Sequence, residues 1–448
     1  MDRIGVGIIG GGRIADVHAP GYLSSDQARI VAVCDRDPDT LARRVDEWDA
    51  DRGYADFQEL LADPNVDLVD ILTPHHLHAP MVIAAAKSGK HISVQKPMAV
   101  TVAECDEMIK ACKYAGVHLR VFENFIFYPP FVLAKQLVDQ GEIGEPLSLR
   151  LKLGNMSGGW PVPLATWLWR FNPELAGPGP TVFDDGYHKF SMAVDLFGEI
   201  DSVHGWIDRS FGVADSPSMV SFTFKDHPAL GYFESAVSLN AKMRSKYYSA
   251  DERMEITGTR GTILMTRCTG RLLDEAPLLL VKDGRTIEFE DLRDDWLDSF
   301  TDCTHHYIDA IQNFRGPKLT GERGRHILQV AYAAYISARE GRRVDPNHVT
   351  GEELWEIRAT EGEMPSPLDM PPPRPRSAPK PRPVTRPVAR SAGPLERLKS
   401  KLPAKRPDRD DEDIDVFEDD DRPFEISDEG GFEDDDDHIK DFWEDSKS

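Results

Sequence analysis

The stretch Ile4-Gly5-Val6-Gly7-Ile8-Ile9-Gly10-Gly11-Gly12-Arg13-Ile14-Ala15 decides how the rest of this chain is read. A short, continuous apolar run is the pattern of a parallel strand buried on both faces. A glycine-rich turn that follows it at once and opens a helix is the G-x-G-x-x-A form of the dinucleotide fingerprint. Gly10 permits the tight turn, Gly12 lets a pyrophosphate approach the backbone, and the small Ala15 allows close helix–strand packing; Arg13 and Ile14 stand at the helix start, where free N–H groups face the anion. A second β-type run, Arg29 to Cys34, ends in Asp35, where the fingerprint places a carboxylate for the adenosine ribose about 20 residues on. Asp35 accepts ribose hydroxyls and repels a 2′-phosphate, so NAD is the expected cofactor; the neighbouring Arg36 leaves NADP open.

Composition sets the outer bounds. With 448 residues the chain is long enough for two sizeable domains. It opens straight into a strand, without the basic and apolar regions of a secretory signal, and no apolar run reaches the ~20 residues of a membrane helix. Cys34, Cys105, Cys112, Cys268 and Cys303 are odd in number and form no C-x-x-C pair, which favours free thiols in a cytoplasmic protein. The formal charge of −24 argues against nucleic-acid or anionic-membrane partners.

Strands and helices alternate through residue 123. Helical patterns over Asp39 to Trp48, Asp56 to Leu61, Pro80 to Ser88 and Val102 to Ala115 separate strands at Asp67 to Leu72, His91 to Gln95 and His118 to Phe122. This is the pattern of a doubly wound parallel sheet, with ligands at the strand C-termini. From Asn124 the pattern changes to a helix (Phe131 to Gln140) and then period-two runs between residues 147 and 281, which predict an open, mostly antiparallel sheet. Helices at Asp298 to Phe314 and Arg323 to Glu340 return the chain towards the first domain. The expected fold class is thus α/β plus α+β, with a nucleotide-binding Rossmann domain at 1–123 and a substrate and oligomerisation domain at 124–345.

Residues 346–448 read as a tail. They hold 28 acids against 16 bases, half of the chain's net charge. A proline-rich basic block is followed by a strongly acidic one that includes Asp434 to Asp437. Low apolar content with blocks of like charge predicts disorder.

Several spaced motifs together resemble the glucose–fructose oxidoreductase / inositol dehydrogenase / rhizopine catabolism (Gfo/Idh/MocA) family of NAD(P)-dependent oxidoreductases. They are the Gly10–Ala15 turn, Thr73-Pro74-His75-His76-Leu77-His78, Gln95-Lys96-Pro97, Gly141-Glu142-Ile143-Gly144-Glu145-Pro146, Trp169-Arg170, Asp184-Asp185-Gly186-Tyr187-His188, and the segment from Thr320-Gly321-Glu322 to Gly341-Arg342-Arg343-Val344. The similarity spans about residues 3–345. Gln95 replaces the glutamate of the usual Glu-Lys-Pro, and His75 replaces a commoner asparagine.

The resemblance implies that Lys96 sits at the reaction centre, with a cis bond to Pro97, and that Asp184 and His188 line the substrate site. At i and i+4 these two share a face if the segment is helical, and a histidine titrating near pH 6.5 suits proton transfer. Thr73, Pro74, His75 and His78 are expected beside the cofactor; H-H-x-H without nearby cysteine or acid is poor support for a metal, so none is expected. Trp169 and Arg170 fall at a family position for substrate contact; Trp160 and Trp167 extend that aromatic segment as platforms for sugar C–H faces. Asn124 at the domain crossover, with Glu123, and Tyr187 are further substrate-site candidates. The reaction implied is hydride transfer between a nicotinamide and a secondary hydroxyl of a sugar, cyclitol or glycoside. The resemblance also admits an NAD-dependent glycosidase or a non-catalytic regulator, and it implies a homodimer or homotetramer.

Overall fold

Strand β1 (Ile4–Ile9) is buried at every position, as its unbroken apolar run requires. It belongs to a computed structural model that describes residues 3–160, 168–208 and 215–351, all within one compact unit. Residues 352–448, which carry nearly all of the expected tail, and Trp167 lie outside the described residues.

Helix α1 (Ala15–Leu23) follows the glycine turn, and β2 (Ala28–Cys34), α2 (Pro38–Glu47), β3 (Arg52–Tyr54), α3 (Phe57–Ala62), β4 (Leu68–Ile71), α4 (His78–Lys87), β5 (His91–Gln95), α5 (Val102–Ala115) and β6 (Leu119–Phe122) complete the alternation. The six strands run parallel in the order β3-β2-β1-β4-β5-β6. The order reverses beside β1, which is where a doubly wound sheet opens its ligand crevice. Helix boundaries follow local chemistry. Asp37 caps α2 by accepting from the Thr40 N–H, Thr101 and Glu104 form a reciprocal capping box on α5, and Gly116 ends α5 in the left-handed region.

After α6 (Pro129–Asp139) the long strand β7 (Pro146–Gly159) enters a second sheet. A single helical turn α7 (Pro173–Ala176) and a wide π-type turn at Pro180–Asp185 lead into α8 (Gly186–Phe197). The remaining strands are β8 (Ile200–Ile207), β9 (Ser218–Phe224), β10 (Leu230–Lys242), β11 (Arg244–Ser245), β12 (Tyr248–Gly258), β13 (Gly261–Met265), β14 (Gly270–Arg271), β15 (Leu278–Lys282) and β16 (Arg285–Glu288). Eight of them form one sheet in the order β16-β15-β13-β12-β7-β10-β9-β8, while β11 and β14 pair as a separate ribbon. Every neighbour in the large sheet is antiparallel except β7 and β10, which run parallel. The sheet is therefore mixed, where alternation alone predicts an antiparallel one.

Phe190 of α8 packs edge-on against Phe222 and Phe233, which joins this helix to the sheet's covered face. Each such ring is worth roughly 2–3 kcal/mol of burial. Helices α9 (Trp296–Gln312) and α10 (Gly321–Glu340) carry the chain back as expected. Tyr307, Ile308 and Ile311 of α9 share an apolar cluster with Ile4, Val6, Ile8 and Tyr22, and the Tyr307 hydroxyl donates to the Ile92 carbonyl at 2.6 Å. The first domain's core is thus finished by residues some 300 positions away.

The packed chain also runs past the boundary expected at 346. Asp345 caps a 3-10 turn at Pro346–His348, Val349 is buried, and Gln329 donates to the Val349 carbonyl at 2.9 Å.

Candidate active site

The glycine turn is built as a cradle. Gly10 has φ +101°, and a Cβ there would meet the Leu72 backbone at 3.1 Å. A Cβ on Gly12 would meet nothing within 4 Å, so this backbone faces open space, and no side chain caps the start of α1. Both features fit a pyrophosphate at the helix N-terminus. Asp35 accepts from the Gly11 N–H at 2.7 Å and from the Asp37 N–H at 2.9 Å, which fixes its carboxylate beside the turn with lone pairs left for ribose hydroxyls. Arg36 is exposed. Behind the turn, buried Arg44 donates through Nε to the Gly11 carbonyl at 2.9 Å and through Nη2 to the Gly12 carbonyl at 3.3 Å, and it pairs with Asp16 at 2.5 Å. Nothing in the sequence singled out this arginine; its position on α2 reads as a solvated face. Arg13 lies over the Trp160 ring at 4.5 Å, so the turn also touches the end of β7.

The chemistry gathers at the C-terminal ends of β4, β5 and β6. The Lys96–Pro97 bond is cis, as expected. Lys96 Nζ donates to Asp184 Oδ1 at 2.8 Å and to the Asp184 carbonyl at 3.0 Å. Arg170 binds the second oxygen of the same carboxylate, and His75 Nε2 stands 3.9 Å from the first. Burial alone would raise the Asp184 pKa; Arg170, then Lys96, then His75 overcome it and hold the carboxyl far below the usual carboxylate range. Asp185, one residue on, faces the opposite balance. Burial and the charge of Asp184 push it up to about 6, and the Asn155 amide donates to its Oδ2 at 3.1 Å.

His188 sits on the first turn of α8, and its Nδ1 is 2.7 Å from Glu123 Oε1. Its ring stacks on Phe125 at 4.1 Å. Burial lowers the His188 pKa, Glu123 pulls it back up, and Lys96 lowers it again. Glu123 is itself buried; that burial opposes its charge, and His188 together with the Phe125 N–H keeps it ionised. The expected partnership of Asp184 with His188 is therefore divided: Asp184 holds Lys96, and Glu123 holds His188. The π-type turn before α8 breaks the simple i, i+4 geometry that a continuous α-helix would give.

His78 is buried, with Nδ1 3.0 Å from the Pro97 carbonyl and Nε2 2.9 Å from the Thr73 carbonyl. It lies between the loop after β4 and the loop after β5, and burial takes its pKa down to about 4. His75 is buried as well, its pKa pushed down to about 3 by burial, with Nδ1 3.0 Å from the Ala176 carbonyl. Trp169 meets His75 edge-on at 4.8 Å and carries the Arg170 guanidinium over its face at 4.9 Å. Trp160 packs edge-on with Tyr247, Tyr248 and Trp296.

Two of the expected substrate residues are buried. Tyr187 is fully buried, and its hydroxyl donates to the Gly324 carbonyl on α10 at 2.9 Å. Adjacent helical positions point about 100° apart, so the residue beside His188 faces the core. Asn124 is buried and donates to Ser299 Oγ at 2.8 Å, which joins β6 to α9. Asn155 donates to Asp185, and the Tyr248 hydroxyl lies in the field of Arg170 and Lys96.

Comparison with known proteins places this geometry. Residues 4–123 match the model described as the oxidoreductase family with an NAD-binding Rossmann fold, and residues 131–264 match the GFO/IDH/MocA C-terminal domain. The chain is 30% identical over 356 residues to the myo-inositol 2-dehydrogenase of Thermotoga maritima, covering 77% of this chain and 99% of that enzyme. It is 28% identical over 344 residues to the NAD(+)-dependent scyllo-inositol 2-dehydrogenase of Bacillus subtilis, covering 75% and 94%. A solved levoglucosan dehydrogenase in complex with NADH and levoglucosan superposes with a TM-score of 0.65 at 25% identity, over 77% of this chain and 99% of that one. The cradle at Gly10–Gly12, the strand-end lysine and the two matched domains agree: the chain belongs to the Gfo/Idh/MocA oxidoreductase family.

Proposed function

We propose that the protein is an NAD(P)-dependent dehydrogenase that moves a hydride between a nicotinamide and a secondary hydroxyl carbon of a sugar, cyclitol or glycoside. The observation that carries the reading is one cluster at the C-terminal edge of the parallel sheet. In it a lysine is held by a fully ionised aspartate and a histidine is held by a buried glutamate.

Bound nicotinamide supplies the hydride acceptor or donor. Gly10, Gly12, Arg13, Ile14 and Ala15 would hold its pyrophosphate, Asp35 its adenosine ribose, and Thr73, Pro74, His75 and His78 the loop beside it. The position of Asp35 favours NAD. Ionised Glu123 accepts the Nδ1 proton of His188, which leaves Nε2 as a lone pair able to take the substrate hydroxyl proton. Lys96 donates to the substrate oxygen and steadies negative charge there, and Asp184 with Arg170 fixes where that ammonium stands. Trp169 offers an apolar face to sugar C–H groups.

The same reading includes a homodimer or homotetramer in the cytoplasm. Trp206, Met219 and Leu230 lie exposed on neighbouring strands of the second sheet, and Trp206 is directly paired with Met219. All five cysteines are free and buried, which fits a reducing compartment. Among the described residues no helix is long and apolar enough to cross a membrane.

The test is a panel of sugars, cyclitols and glycosides offered with NAD and with NADP, followed by the absorbance of reduced nicotinamide and by product analysis. Reduction of NAD by at least one polyol supports the reading. Release of an aglycone without net NADH would replace it with a glycosidase, and no turnover with any substrate would remove it.

A further inference from the structure

We propose that Gln95, His18 and Asp70 form a hydrogen-bond chain of fixed polarity that positions Lys96, and that the amide at position 95 keeps His18 neutral with its proton on Nδ1. Gln95 is a departure from the Glu-Lys-Pro pattern, and its surroundings give the substitution a meaning.

The chain has three links. Lys96 N donates to Gln95 Oε1 at 2.7 Å, Gln95 Nε2 stands 2.9 Å from His18 Nε2, and His18 Nδ1 stands 2.9 Å from Asp70 Oδ2. A backbone N–H only donates, so the amide oxygen belongs on the Lys96 side and the NH2 on the His18 side. An amide nitrogen cannot accept. His18 Nε2 must therefore present its lone pair, and the ring's proton goes to Nδ1, where the Asp70 carboxylate accepts it. Each donor meets an acceptor in this arrangement, and reversing any one link breaks the next.

The His18–Asp70 end of the chain is sealed from water. His18 and Asp70 are both 0% exposed. The His18 ring lies 3.9 Å from the Phe122 ring and 5.3 Å from the Phe300 ring. The charged and titratable groups around it come from every packed element. Asp70 of β4 faces His18; Arg120 of β6 acts on Asp70, and Tyr22 of α1 with Cys303 and Tyr307 of α9 act on Arg120.

A carboxylate at 95 still accepts from Lys96 N but has no proton to give to His18 Nε2. His18 must then take up a second proton and stand as an imidazolium between two carboxylates. Gln95→Glu thus couples the placement of Lys96 to the protonation of His18, whereas Gln95→Met removes the link outright. The effect on turnover rests on the proposed dehydrogenase activity; the protonation state of His18 does not.

The experiment has two arms on the full chain. Histidine 15N–1H correlation spectra of the wild-type protein at pH 7.5 are expected to show His18 with its proton on Nδ1 and a lone pair on Nε2. Gln95→Glu is expected to show it doubly protonated at pH 6. In the second arm Gln95→Met is expected to lower kcat about tenfold with KM for NAD within threefold. Gln95→Glu restores kcat at low pH and loses it as pH rises through the His18 transition, a limb absent from the wild type. A wild-type His18 carrying its proton on Nε2, or charged, overturns the proposal, as does a Gln95→Glu ring that stays neutral at pH 6. Unchanged kcat in Gln95→Met overturns the positioning half. Absence of turnover in every variant and the wild type refutes the enzyme reading alone, and the spectra still decide the chain.

Discussion

Replacing Glu123 with glutamine removes one charge from the centre of the site while keeping its shape. In the native protein Glu123 Oε1 accepts from His188 Nδ1 at 2.7 Å and from the Phe125 N–H at 3.0 Å, and its side chain is fully buried. A hydrogen bond to a charged group contributes about 1.5–3 kcal/mol. At about 1.4 kcal/mol per pKa unit, losing the charge is worth roughly one to two units of His188 basicity. The sign follows from the native balance. Burial already lowers the His188 pKa and Glu123 is what raises it, so Glu123→Gln lowers it further. In the oxidative direction His188 works only when neutral. The acid limb of kcat/KM should therefore move to lower pH by one to two units. The plateau should fall about tenfold, part of the 10²–10⁴ that a positioned base supplies, because a weaker base with a less firmly held tautomer takes the hydroxyl proton. The assay is kcat/KM for the best substrate of the panel between pH 4.5 and 9, with a melting curve to verify the fold. An acid limb that stays in place, or moves to higher pH, would refute the assignment of His188 as the base and Glu123 as its orienter.

Three further outcomes follow from the same geometry. Lys96→Met should lower kcat by about 10³-fold or more with little change in NAD affinity measured by fluorescence titration, since its charge meets Asp184 and the reacting oxygen rather than the glycine turn; a loss under tenfold would remove Lys96 from the chemistry. Gly12→Val should fold with an unchanged melting temperature, because its Cβ meets nothing within 4 Å, yet weaken NAD at least tenfold by filling the approach to the pyrophosphate. Asp185→Asn should stabilise the protein at pH 7.5 and not at pH 4. A carboxyl pushed up to about 6 in the fold costs stability as pH rises from about 4 to 6, and the cost stays constant above that. The ceiling on the gain is about 3 kcal/mol, and thermal melts at the two pH values measure it.

The parts of this protein that were legible in its sequence are those whose signal is local. The β1 run, Gly10, Gly12 and Asp35 lie within one strand–turn–helix–strand unit, so backbone need and side-chain need appear together in a short window. Strand β5 and helix α5 begin and end where the sequence pattern and Gly116 say they should. Partnership was not legible, because it is set by contacts across the fold. Glu123 and His188 are 65 residues apart, and Lys96 and Asp184 are 88 apart. Spacing therefore paired Asp184 with His188, its neighbour in sequence, when each had a closer partner in space. One sequence signal did point at Glu123: it stands at the end of β6 as Gln95 stands at the end of β5, and in a parallel sheet all such positions open on the same crevice. Tyr187 shows the converse: a motif position beside His188 on the same helix is turned towards the core. Arg44 shows the remaining gap. It looks like a surface charge on α2, yet it holds the Gly11 and Gly12 carbonyls from behind, so the glycine turn is shaped by a residue that no fingerprint includes. What a motif records is the atoms a ligand touches; what makes the motif rigid enough to bind is supplied by the tertiary fold.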